Sequence, residues 1–161
     1  MSQYFKAGDT ISGQEGWATM VVTNADGSST VEDLFMIKNL EATCTLNKTA
    51  VRTLGKRGEQ HKPNGWTGSG TATMYYATSL FRKMAIQYIK TGKPVYFDIT
   101  VRNEDPGSTL GAQSTLLRTC SLDDVIMAKL DVDAEVLDEN FSFTFDDAEL
   151  LNEFGKPVLG N

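Results

Sequence analysis

Asn140-Phe141-Ser142-Phe143-Thr144-Phe145-Asp146 decides the fold class. Phe141, Phe143 and Phe145 fall at every second position, with Asn140, Ser142, Thr144 and Asp146 between them. Successive side chains of a strand point to opposite faces, so this run sends three rings into a core and a polar row into water. One buried face and one wet face are the pattern of an antiparallel sheet.

Working outward, the alternation recurs. Val95, Phe97, Ile99 and Val101 alternate with Tyr96, Asp98, Thr100 and Arg102. Residues 16–23 (GWATMVVT) read as a strand, followed by turn chemistry from Asn24 to Ser29. Strand material then runs from Thr30 to about Asn47; within it Ala42, Cys44 and Leu46 predict a buried face, and Glu41, Thr43, Thr45 and Asn47 a wet one. Gly70–Tyr76 and Ser114–Leu122 read as further strands. Ile126, Ala128, Leu130 and Val132 predict one more, whose wet face carries alternating acids. The residues from Ala148 to Asn161 read as a tail with one short helical possibility.

One helix is expected over about 79–91. Leu80, Phe81, Met84, Ala85, Tyr88 and Ile89 form an apolar stripe, with Arg82, Lys83, Gln87 and Lys90 mostly opposite. Thr78 or Ser79 caps its start, and Gly92 then Pro94 end it. Between elements lie a Gly-rich basic loop over about 55–69 and a second loop from Asn103 to Gln113. The expectation is a mainly β, α+β fold: two antiparallel sheets packed as a sandwich-like barrel with one flanking helix. Its 161 residues suit a single domain, 1–161, with a core that needs no disulfide.

Composition excludes several function classes. A net charge of −6 makes general nucleic-acid binding and adhesion to anionic lipid unfavourable. No stretch approaches membrane-spanning length, and the N-terminus lacks the apolar run of a secretory leader, so no membrane anchoring is expected and the Asn47-Lys48-Thr49 sequon is a chance match. Cys44 and Cys120 are solitary and read as small buried hydrophobes. The lone His61, in the basic loop beside Lys62, has no second ligand for zinc and reads as a solvated side chain rather than a catalytic base. Gly55-Lys56-Arg57-Gly58 and Gly68-Ser69-Gly70 fit neither a P-loop nor a dinucleotide fingerprint. Asp131-Val132-Asp133-Ala134-Glu135 lacks the glycine a calcium loop needs at its sixth position, where Val136 stands. No catalytic, metal-binding or cofactor-binding residue is expected, and no cofactor.

Charge segregation is the more informative pattern. Lys48, Arg52, Lys56, Arg57 and Lys62 crowd one stretch, opposed only by Glu59, while ten acids lie between Asp123 and Glu149, opposed only by Lys129. Two unrelated solvated faces would give this pattern. So would a basic and an acidic surface meeting between copies, a head-to-tail contact that closes rings or extends filaments.

Four strings then carry a resemblance covering nearly the whole chain. Asp9-Thr10-Ile11-Ser12-Gly13-Gln14-Glu15-Gly16, Gly70-Thr71-Ala72-Thr73-Met74-Tyr75-Tyr76-Ala77-Thr78-Ser79, Ala128-Lys129-Leu130-Asp131-Val132-Asp133-Ala134-Glu135 and Phe141-Ser142-Phe143-Thr144-Phe145-Asp146-Asp147 occur in that order. They resemble phage tail tube proteins of the PBSX XkdM type, found in contractile-tailed phages and tail-like bacteriocins. The resemblance implies a structural, non-enzymatic subunit made in the host cytoplasm and placed in a virion tail. It implies homo-hexameric rings stacked into a hollow conduit inside a contractile tail sheath, for DNA passage or membrane puncture, with tape-measure and baseplate proteins as partners and any DNA in transient passage without specific binding. On that reading Lys48, Arg52, Lys56, Arg57 and Lys62 are expected at subunit or ring contacts, and Asp131, Asp133 and Glu135 at the lumen. The alternatives are a tube protein like that of type VI secretion, or a small β-sandwich module binding sugar or peptide through Trp17, Trp66, Tyr75 and Tyr76.

Overall fold

The computed structural model describes residues 2–24 and 26–161. Its strands are β1 (Gly16–Thr23), β2 (Ser29–Asp33), β3 (Ile37–Val51), β4 (Gln60–Tyr75), β5 (Phe97–Glu104), β6 (Ala112–Val125), β7 (Asp138–Phe145) and β8 (Asp147–Asn152), with one helix, α1 (Leu80–Thr91), after β4. All pairings are antiparallel, in the order β2-β1-β5-β6-β7-β4-β3, with β8 also on β6. The expected β class and single helix hold, but the strands form one continuous sheet, not two separate ones, and it does not close into a barrel.

The sheet bends at β6. Residues up to Cys120 pair with β5, and residues from Ser121 onward pair with β7. Thr119, at the change-over, has φ 54°, a sterically costly value for a β-branched residue. Beside it β7 gives way to β8 at Asp146, whose amide donates to the Arg118 carbonyl at 3.1 Å. Both strands thus turn the same corner and fold the sheet onto itself. Phe141, Phe143 and Phe145 fill the enclosed side with Phe97, Ile99, Met20, Met74 and Cys120. Burial pushes the Cys120 thiol up to about 12, so it behaves as a small hydrophobe.

Helix α1 lies against the same core. Phe81 stacks on Phe141 with ring centroids 4.3 Å apart. The Leu80 amide donates to the Thr78 hydroxyl at 3.2 Å, and Gly92 closes the C-terminus at φ 71° with its amide on the Tyr88 carbonyl. Buried Glu139 pairs with Arg82 at 2.7 Å; Arg82 also donates to the carbonyls of Thr78 and Ile126 and stacks on Tyr76. This pair joins the helix to β7. Of the expected apolar stripe, Tyr88 and Ile89 are exposed.

Several expected boundaries are corrected. The strand from Thr30 to Asn47 is two strands, interrupted at Leu34–Met36 where the Leu34 amide turns back to the Ala18 carbonyl. The segment 126–137 holds no strand; Leu130 and Val132 stand almost wholly in water because their apolar alternation has no neighbouring strand to pair with. The tail from Ala148 is not helical: it begins within β8, and further on Tyr4 and Gly160 exchange backbone hydrogen bonds. The loop over 55–69 is a loop only as far as Glu59, since β4 starts at Gln60. His-Lys-Pro-Asn-Gly reads locally as turn chemistry, yet pairing of His61, Lys62 and Pro63 with Ala50, Thr49 and Lys48 of β3 overrides it.

Candidate assembly interface

That correction creates the most unusual feature of the molecule. β3 and β4 pair from Ile37↔Met74 to Val51↔Gln60, but β7 accompanies β4 only from Gly68 to Tyr75. Thr45–Val51 and Gln60–Thr67 therefore project as a bare two-stranded arm about 25 Å long. A register shift between Leu46 and Lys48 lies opposite Gly65, whose φ of 94° suits a bulge. Pro63 is accommodated because only β3 flanks β4 there.

The arm carries an apolar stripe that the described residues leave largely exposed. Cys44, Leu46 and Trp66 continue the inward face of Leu40, Ala42, Gly68, Gly70 and Ala72, yet Cys44 is exposed, Leu46 is 55% exposed and Trp66 41%. The expected burial of Cys44 and of the Ala42–Leu46 face is thus not met within one copy. The alternation is right, but the described residues cover it only in part, as where Trp66 meets the Phe145 ring at 5.9 Å between centroids. An isolated two-stranded ribbon is at best marginally stable, so such a stripe calls for a partner.

Structure also gathers the basic residues. Lys48 and Lys62 lie on the arm, and Arg52, Lys56 and Arg57 surround its tip, with Arg52 held to Glu59 at 2.7 Å. His61, exposed on the arm opposite Ala50, is a strand residue and not a loop one. The arm's five cations and one acid leave the rest of the chain at −10.

The acids mark the opposite end. β4 is about 50 Å long; Gln60 stands at the arm tip, and Tyr75 at the other end pairs with Asp138. Asp131, Asp133 and Glu135 lie in the segment leading into Asp138, not on the wet face of a strand. Asp131 accepts the Asp133 amide at 3.0 Å. Lys38 bridges Asp138 at 3.0 Å, a hydrogen bond that raises the lysine's pKa, and Lys129 donates to the Asp138 carbonyl.

Between these ends the solvent face of β3, β4, β7 and the last part of β6 forms a hydroxyl-rich surface. Glu41, Thr43, Ser69, Thr71, Asp123 and Ser142 line a shallow groove on it. Between the Asn39↔Thr73 and Thr45↔Thr67 pairs, the described residues of this face include Glu41 and Asp124 but no Lys or Arg. The alternations on β3 (Glu41, Thr43) and β7 (Ser142, Thr144) pointed to parts of this surface, but sequence reasoning could not join them because its members come from four strands. Two edges flank it: β3 has no strand beyond it, and β6 past Cys120 pairs with β7 alone. Among the described residues no cluster of three His, Cys, Asp or Glu side chains has metal-site geometry.

An open sheet with bare edges, opposite charges at its two ends and an uncovered apolar arm defines a self-assembling structural subunit. The chain belongs to the phage tail tube protein family, whose sequence profile matches residues 3–152. It is similar to the phage-like element PBSX protein XkdM of Bacillus subtilis (strain 168), 37% identical over 145 residues that cover 90% of this chain and 92% of that protein. Among solved structures, its fold is similar to a chain of the PVC sheath/tube terminator, an extracellular contractile injection system in the extended state (TM-score 0.65, 12% identity, 91% of this chain and 100% of that one). It is also similar to a chain of the anti-feeding prophage baseplate, 6-fold symmetrised (TM-score 0.62, 14% identity, 85% of this chain and 92% of that one). The chain is a structural tail tube subunit, a component of a virion or phage-tail-like particle.

Proposed function

We propose that one domain, residues 1–161, forms rings of six that stack head to tail into a hollow conduit, and that its role is mechanical, with no reaction and no cofactor. The observation that carries this is the placement of a basic arm and an acidic segment at opposite ends of β4. Such a subunit attracts its copies in one direction only, a heterologous contact that propagates. The 6-fold symmetry of the similar baseplate assembly supports the ring number.

Ring closure joins the β3 edge of one copy to the free β6 edge of the next, giving exposed backbone groups their partners. Stacking sets Lys48, Arg52, Lys56, Arg57 and Lys62 against the acidic end of the adjoining ring and covers Leu46 and Trp66. The hydroxyl-rich face lines the lumen, and Asp131, Asp133 and Glu135 stand at its rim. A wall of Thr, Ser and Asn with scattered acids gives phosphates no cation to bind, so DNA passes without sticking. A tail sheath surrounds the tube, a tape-measure protein occupies it and a baseplate ends it, after synthesis in the host cytoplasm.

Charge reversal tests the stacking. Lys56→Glu with Arg57→Glu is expected to leave circular dichroism unchanged while shortening tubes to single rings or short stacks in negative-stain microscopy. Adding Asp131→Lys and Asp133→Lys should restore long tubes. Tubes of ordinary length from the first variant would overturn the stacking contact. A folded, monodisperse monomer from the unaltered protein at high concentration would overturn the tube itself.

A further inference from the structure

Helix α1 enters the core through Phe81 and Met84. Its other side presents Lys83, Ile86, Ile89 and Lys90, all exposed, with Ile86 at 45% and Ile89 at 67%. Residues three and four apart are neighbours on a helix surface, so the two isoleucines adjoin and Lys83 and Lys90 flank Ile86. Lys93 follows just past the end of the helix. None of these lysines has an ion pair among the described residues, in contrast to Lys38, Arg82, Arg102 and Arg118. Nor does any Asp or Glu occur between Gln60 and Phe97, although the chain as a whole is at −6. A solvated helix face has no use for two adjacent isoleucines, and an acidic protein has no local reason to keep this stretch free of acids.

The side of the molecule is also fixed. Phe81 reaches β7 through Phe141, on the inward face, whereas Asn140 and Ser142 point the other way. The helix and the hydroxyl-rich face therefore lie on opposite sides of β7. If that face lines the lumen, α1 faces outward, beside β7 and the end of β6.

We propose that the Lys83–Ile86–Ile89–Lys90 face docks an acidic amphipathic segment of the protein that encloses the tube. The isoleucines supply the apolar contact, and the lysines set its register and attract the acids. The outward direction rests on the tube reading above; the chemistry of the partner rests on the helix alone.

The experiment uses preassembled tubes and a purified contractile-tail sheath protein from the same source, scored by co-sedimentation. Two variants are compared with the unaltered protein: Lys83→Glu with Lys90→Glu, and Ile86→Ser with Ile89→Ser. Both should form ordinary tubes, since none of the four side chains is buried. Each should lower sheath binding about tenfold or more, and binding to the unaltered tubes should weaken with added salt. Undiminished sheath binding by both variants overturns the proposal. So does loss of tubes in either variant with a folded monomer, which would assign the face to contact between copies. So does binding of tubes to vesicles of anionic phospholipid that the lysine variant abolishes while sheath binding is unaffected. Absence of tubes from the unaltered protein would instead strike the tube reading, a distinguishable result.

Discussion

Phe143 and Phe145 pack closely against Gly70 and Gly68. A Cβ on Gly70 would clash with the tip of the Phe143 ring, and one on Gly68 with the edge of the Phe145 ring. These glycines let the rings approach the backbone of β4. Gly70→Ala is therefore expected to destabilise the monomer by about 1–3 kcal/mol, the range for overpacking, read as a lower urea midpoint. Gly58→Ala, with open space around it, should be near neutral. Asp9 shows a different residue-level constraint. Its buried carboxylate accepts the Thr109 hydroxyl at 2.7 Å and the Lys6 amide at 2.9 Å, while Thr109 also receives the Val158 amide at 3.3 Å. Both ends of the chain are thus tied to the loop before β6. The Thr109 hydrogen bond, foremost, holds the Asp9 carboxyl below its ordinary value against the opposing cost of burial. A depressed carboxylate contributes stability above its unfolded pKa, near 3.8, and loses it as pH falls through the folded value. Asp9→Asn should then lower the urea midpoint at pH 7 and flatten its decline below about pH 4. An unchanged acid limb would contradict this.

At the scale of elements, the helix and the arm contrast. Helix α1 is held by aromatic stacking and by one nearly dry ion pair, Arg82–Glu139, whose side chains are 13% and 3% exposed. Removing one partner of a buried pair leaves the other charge unpaired. Glu139→Ala is accordingly expected to cost about 3–5 kcal/mol in chemical denaturation, and Arg82→Met with Glu139→Leu should recover part of it. The helix was legible in the sequence because its stripe and its Gly92-Lys93-Pro94 stop are local signals. The distal arm was not. Its second strand contains Pro63, Asn64 and Gly65, and nothing within that segment reveals that Thr49 and Ala50 lie opposite Lys62 and His61. The opposite error occurred at Ile126–Val132, where a strand-like alternation found no partner. Local pattern states which face would be buried if a strand forms; pairing decides whether it forms.

Across the whole molecule, the geometry is that of a piece of a larger sheet. The net +4 arm and the −10 remainder set up a directional attraction, screened over about 8–10 Å at ordinary ionic strength. Stacks should shorten as salt is raised toward 1 M, and rings joined by backbone pairing should outlast them. Hydrogen exchange gives the complementary measure. Amides of Thr45–Val51 and Gln60–Thr67, Pro63 apart, are expected to exchange rapidly in the monomer wherever β3–β4 pairing leaves them open, and to slow on assembly. Amides of Phe141–Phe145 should be slow in both states. Equal exchange of the arm before and after assembly would remove it from the contact.

The sequence by itself determined the β class, the three-phenylalanine core strand, the single helix and the segregation of charge, because each is written in the spacing or composition of one contiguous stretch. Its four strings also sufficed to place the chain with tail tube proteins. Only the tertiary structure decided that the expected loop is an arm, that the basic and acidic stretches stand at opposite ends of one strand, and that Ala42, Cys44 and Leu46 form an apolar face that the described residues leave exposed. Those facts depend on which distant strands pair and where pairing stops. Strand pairing is a contest among all segments of the chain at once, and no local window contains it.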